Sequence, residues 1–88
     1  MSTIEIYTWS SCPFCIRAKQ LLDRKGVTYR EYVIDGDETA RAKMAERAHG
    51  RRTLPQIFID NVHVGGCDDL HALDRAGKLD PMLSGLAS

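Results

Sequence analysis

At 88 residues and 43% hydrophobic content, the chain is expected to form a single domain spanning residues 1–88 around one modest core. Twelve Lys and Arg balance twelve Asp and Glu, so neither a nucleic-acid footprint nor a polybasic membrane contact is expected. Three cysteines do not make a secreted disulfide framework, and no apolar run reaches transmembrane length, so a cytoplasmic protein is expected.

Ile4 to Thr8 alternates apolar and polar residues, the pattern of a half-buried strand. The short turn Trp9-Ser10-Ser11 leads into Cys12-Pro13-Phe14-Cys15 and a helical run from Ile16 to Arg24. Cys15, Ala18, Leu21 and Leu22 share one face of that helix. Gly26 ends it as a C′ residue would. Val27 to Ile34, rich in β-branched and aromatic residues, reads as a second strand parallel to the first. After Asp35-Gly36-Asp37, a second helix capped by Asp37 or Thr39 runs to about Ala48, with Ala40, Met44 and Ala48 as its core stripe. A strand from Gln56 to Asp60, a tight turn near Asn61 and a strand from His63 to Gly65 make an antiparallel hairpin. A third helix runs from the Gly65-Gly66-Cys67-Asp68-Asp69 stretch to about Arg75, where Gly77 stops it. A short last turn covers Pro81 to Leu83, and the tail after Ser84 is expected to fray.

Two cysteines three apart, where a strand feeds a helix, put one sulfur at the first exposed turn and the other one turn deeper on the same face. Free N–H groups at the helix start favour a thiolate there, which makes Cys12 the nucleophile and Cys15 the resolving thiol. Pro13 suits the first helical position, where no N–H is needed, and Phe14 would form an apolar wall beside Cys12. Lys19 sits near the face of the buried thiol and could assist a thiolate, although exposed lysines are mostly solvated. A zinc site using Cys12, Cys15, His63 and Cys67 is the main structural alternative. It is disfavoured because structural zinc pairs usually sit on turns, whereas this pair opens a helix. The three histidines suggest no chemistry.

With Thr53-Leu54-Pro55 and the Gly-Gly-Cys-Asp-Asp stretch added, the chain resembles a glutaredoxin of the small bacterial dithiol type, from Ile4 to about Leu83. The resemblance implies an α/β, thioredoxin-like fold: a four-stranded mixed sheet in the order β-α-β-α-β-β-α, with helices on both faces. It also implies a cis bond before Pro55, where the residues alone favour trans. That bond would turn the polar groups of Leu54 toward the Cys12 sulfur, free to pair with an extended peptide such as glutathione. The stretch at Gly66, Cys67, Asp68 and Asp69 is similar to the family's site for the γ-glutamyl end of glutathione. There, N–H groups would hold the carboxylate and an Asp the ammonium. Read without the resemblance, it is equally a Gly turn with a capping Asp. Cys67 reads as a small packing residue.

Two departures from the family pattern stand out. Trp9 occupies the position where members often carry Lys, and Phe14 replaces the usual Tyr. The glycine carboxylate of glutathione would then rely on other bases, with Arg41 the first candidate and Arg51 or Arg52 as substitutes. Phe14, Arg41, Thr53, Leu54, Pro55, Gly66, Cys67, Asp68 and Asp69 are thus the expected glutathione-binding residues, and Cys12 and Cys15 the catalytic ones. The resemblance implies a glutathione-dependent disulfide oxidoreductase, expected to be monomeric, that acts on glutathionylated or disulfide-bonded proteins and needs no metal. Two other functions compete. An iron-sulfur cluster carrier is disfavoured by Pro13, because cluster-binding members mostly have a smaller or more flexible residue there. A thioredoxin-like donor recycled by a reductase is disfavoured by the Gly-Gly-Cys-Asp-Asp stretch.

Overall fold

The computed structural model describes residues 2–85. Residues 86–88 of the tail expected to fray lie outside the described residues. The elements are β1 (Ile4–Thr8), α1 (Pro13–Arg24), β2 (Arg30–Val33), α2 (Glu38–Arg47), β3 (Gln56–Ile59), β4 (Val62–Gly65), α3 (Cys67–Arg75) and α4 (Leu79–Ser84). One four-stranded sheet has the order β2-β1-β3-β4. β1 runs parallel to β2, with Tyr7 opposite Tyr32, and antiparallel to β3, with Ile6 opposite Ile57. The fold is the expected thioredoxin-like one. No helix among the described residues is long and apolar enough to cross a membrane.

Period-2 alternation along β1 divides the molecule into two unlike layers. Ile4 and Ile6 join Ala18, Leu21 and Leu22 of α1, Ile57 and Ile59 of β3, Leu70 of α3, and Leu79 and Leu83 of α4 in one apolar core. Burial of each Leu or Ile here stabilises the fold by about 1.5–3 kcal/mol. Glu5 and Tyr7 face the other side, where α2 lies. There the Arg47 guanidinium donates to Glu5 Oε1 at 3.0 Å and to the Tyr7 hydroxyl at 2.9 Å, and it stacks 4.0 Å from the Phe58 ring centroid. The hydrogen bond from Arg47 holds the Glu5 carboxyl below its ordinary pKa. Met44 of α2 and its C-cap Ala48 are buried as expected, and Ala45 joins them while Ala40 is only half-buried.

Local signals read from the residues operate as capping rules require. Pro13 is the first residue of α1, and Gly26 follows its cap with φ +71°. Asp37 caps α2 by accepting from Ala40 N at 3.0 Å. Asp60 and Asn61 both have positive φ, the conformation of a two-residue hairpin turn. Several boundaries shift by one residue, and two shift further. β2 starts at Arg30 rather than Val27, because Val27 N still donates to Leu22 O at the end of α1, and Val27 and Tyr29 pack on the core instead of pairing. α4 starts at Leu79, two residues before Pro81, because fully buried Leu79 anchors it.

Candidate active site

Cys12 is the N-cap of α1, and its Sγ accepts from Cys15 N at 3.2 Å. The same sulfur lies 3.8 Å from the Leu54 carbonyl oxygen. The thiol is half-buried, whereas Cys15 is 1% exposed. Burial, and then the hydrogen bond with Cys12, pushes the Cys15 thiol up to about 12. The backbone of Trp9 and the charge of Lys19 act weakly in the opposite direction. The two sulfurs therefore differ as the helix geometry implies: one is reachable, the other is a buried neutral thiol. Lys19 does not point freely at Cys15. It is paired with Glu31 at 2.9 Å, and Glu31 also accepts from the buried Thr8 hydroxyl at 2.7 Å.

Beside Cys12 a cleft is lined by Phe14, Arg51, Thr53, Leu54, Pro55, Gly66, Cys67, Asp68 and Asp69. Phe14 is 52% exposed and forms an apolar wall. The Leu54-Pro55 peptide is cis, as the resemblance implied and the residues alone did not. Eight of the nine expected binding residues thus meet at one place. Arg41 does not line the cleft. Its Nε donates to the Arg52 carbonyl at 2.9 Å, and its guanidinium lies 5.0 Å from the Trp9 ring centroid. Trp9 and the Arg52 carbonyl together therefore hold Arg41. Arg52 is paired with Glu38 at 2.9 Å away from the cleft, whereas Arg51, itself paired with Asp69, lines it.

The start of α3 separates its two aspartates. Asp69 Oδ2 accepts from Gly66 N at 2.9 Å and from Arg51 Nη1 at 3.0 Å. These bonds, that from Gly66 first, hold its carboxyl below the ordinary range. Asp69 therefore serves the helix cap. Asp68 is exposed, and no side-chain hydrogen bond or ion pair among the described residues uses it. Gly65 has φ +118°, and a Cβ there would meet Asp69 Oδ2 at 2.3 Å, so the turn can take only glycine without moving the cap. Cys67 is buried, which raises its thiol pKa. Among the described residues, no group of three or more His, Cys, Asp or Glu could hold a metal ion.

Arg51, expected only as a substitute base, lines the cleft, and its bond to Asp69, 18 positions away in the chain, is encoded by no local pattern. A second contact was not read from the sequence at all. His49 and His63, 14 residues apart, meet with their Nδ1 atoms 3.1 Å apart, and His63 Nε2 is 2.7 Å from Gln56 Oε1.

A family model described as glutaredoxin matches residues 4–64. A probable glutaredoxin of Synechocystis sp. is 70% identical over 80 residues, covering 91% of each chain. Glutaredoxin 3 of Escherichia coli is 57% identical over 83 residues, covering 94% of this chain and 99% of the relative. Among solved structures, the buckwheat glutaredoxin–glutathione complex superposes with a TM-score of 0.89 at 32% identity, over 97% of this chain and 79% of that one.

Proposed function

Because the chain belongs to the glutaredoxin family, whose members are thiol–disulfide oxidoreductases, we propose that it reduces glutathione mixed disulfides and protein disulfides with glutathione as reductant. The observation that carries this reading is the cleft beside Cys12. An accessible sulfur stands 3.8 Å from the Leu54 carbonyl, while the start of α3, with Asp68 unengaged, forms the far wall. An extended peptide with a thiol in its middle and an α-amino acid at one end fits these two walls. Strand-like pairing with Leu54 would bring its sulfur to Cys12, and the N–H groups of Cys67 and Asp68 with the Asp68 carboxylate would meet both charges of its γ-glutamyl end. Arg51 at the cleft, with Arg41 beyond Trp9, would give a positive rim for the glycine carboxylate. The buckwheat relative solved with glutathione supports the same ligand here.

The chemistry is thiol exchange. The Cys12 thiolate attacks the glutathione sulfur of a mixed disulfide, the substrate leaves as a thiolate and takes up a proton, and Cys12 remains bonded to glutathione. A second glutathione thiolate attacks that glutathione sulfur, releasing oxidised glutathione and the Cys12 thiolate. With a protein disulfide, Cys12 first bonds to one partner sulfur. Cys15, once deprotonated, then attacks Cys12 and frees the partner, closing a Cys12–Cys15 disulfide that two glutathiones reopen. The protein would work in this way as a cytoplasmic monomer.

The test is the choice of reductant. Glutathione with glutathione reductase and NADPH is expected to drive reduction of a glutathionylated peptide, whereas thioredoxin reductase with NADPH is not. Turnover with thioredoxin reductase alone would overturn the glutathione reading.

A further inference from the structure

From Thr53, on the wall of the cleft, a line of hydrogen bonds leads away under the sheet edge. Gln56 is fully buried in β3 and donates from Nε2 to both the carbonyl (3.0 Å) and the hydroxyl (3.1 Å) of Thr53. On its other side lies His63 of β4, and beyond that His49, in the turn after α2. Elimination assigns the protons between Thr53 and His49. The Thr53 carbonyl only accepts, so the amide nitrogen of Gln56 must face it and Oε1 must face His63. An amide oxygen also only accepts, so His63 Nε2 carries a proton. In neutral His63 the Nδ1 atom is then an acceptor, and the proton between the two rings belongs to His49 Nδ1. Burial, helped by the nearby His49 and Arg51, lowers the His63 pKa, with only Asp69 of α3 opposing, which favours the neutral ring.

We propose that Gln56 and His63 are positioning residues for glutathione: the bonds run one way, His49 to His63 to Gln56 to Thr53, and clamp the Thr53-Leu54 edge in its binding orientation. This inference rests on the function proposed above. Every residue of β3 is buried, and an apolar side chain at position 56 would fit such a strand without any polar cost. An amide there needs partners on both sides. Two of its three partners are atoms of a single residue in the cleft. Gln56 fixes the direction of the Thr53 carbonyl, and the next carbonyl along the edge, that of Leu54, faces the Cys12 sulfur.

The test joins a spectroscopic readout to a kinetic one. Long-range ¹H–¹⁵N correlation spectra at neutral pH are expected to show His63 as the Nε2–H tautomer and His49 as the Nδ1–H tautomer. With a glutathionylated peptide, His63→Leu is expected to raise KM about two- to tenfold, the value of one hydrogen bond, with kcat and the alkylation rate of Cys12 unchanged. His63→Gln, which can place an N–H near the former Nε2, is expected to restore KM. The Nδ1–H tautomer at His63, or a wild-type KM in His63→Leu, would overturn the inference. So would loss of thermal stability in both variants with no change in KM, since the chain would then serve only the fold. Wild-type protein that fails to turn over with glutathione would sink the proposed function and this inference together. Wild-type turnover with an unaffected His63→Leu sinks the inference alone.

Discussion

Two helices begin at the cleft, and they are capped in opposite ways. At α1 the cap is the Cys12 sulfur, which accepts from Cys15 N and is also the reactive atom in the proposed function. At α3 the N-cap residue is Gly66, which has no side chain to offer, and Asp69 reaches back from within the first turn to accept from Gly66 N. The first helix thus places its chemistry in the cap position itself. The second keeps its cap to one side and leaves the outer edge of its first turn, at Asp68, unengaged, where the proposed ligand would bind. Replacing a residue at the first start is therefore a chemical change, whereas at the second start binding and folding can be separated.

The largest expected effect is at α1. Cys12→Ser should lose both deglutathionylation and protein-disulfide reduction, because Cys15 is 1% exposed and its thiol is pushed up to about 12. Cys15→Ser should keep most deglutathionylation and lose protein-disulfide reduction by the dithiol route. Parallel assays on a glutathionylated peptide and a protein disulfide, with the same glutathione, check this. An active Cys12→Ser would mean that the roles of the two thiols are reversed.

At α3 the two aspartates should part ways. Asp68→Ala is expected to raise KM for glutathione by roughly 10- to 100-fold, the equivalent of a charge-assisted hydrogen bond of about 1.5–3 kcal/mol, with an unchanged melting temperature. Asp69→Ala is expected to lower stability by about 0.5–2 kcal/mol, as loss of a helix cap does. Urea unfolding and glutathione kinetics on both variants show whether binding and capping are divided in this way. Equal effects of the two substitutions on KM would erase the distinction.

Gly65→Ala tests the same cap from the backbone side. The new methyl would meet Asp69 Oδ2 in a conformation that L residues rarely adopt, and a loss of roughly 1–3 kcal/mol in urea unfolding is expected. A variant as stable as the wild type would show that the turn relaxes without disturbing Asp69.

The smallest effect concerns pH. The Asp69 carboxyl has a lowered pKa in the folded state, so it stabilises the fold fully above the ordinary carboxylate pKa. That contribution disappears as pH falls through the lowered value. Stability measured from neutral to acid pH should therefore decline less steeply in Asp69→Asn than in the wild type, while the two curves stay parallel near neutrality. Identical acid limbs would mean that the bonds from Gly66 and Arg51 contribute nothing.

Element order, the Cys12-Pro13-Phe14-Cys15 helix start, the Asp37 cap and the Asp60-Asn61 turn were legible in the chain because each depends on residues within a few positions of one another. The apolar faces of α1 and β1 were legible for the same reason, since periodicity is local. The cis bond at Pro55 was not: isolated residues favour trans, and only the resemblance implied otherwise. Nor did spacing alone choose between Asp68 and Asp69, because both stand in the first turn of α3; in the folded chain the Gly66 N–H and Arg51 together tie up Asp69. Arg41 shows the same limit. Its charge suggested a ligand contact, and only the packed structure reveals that Trp9 and the Arg52 carbonyl engage it. The chain from His49 to Thr53 depends on tertiary structure most of all, because hydrogen bonds between residues on a turn and on two strands leave no period in the sequence.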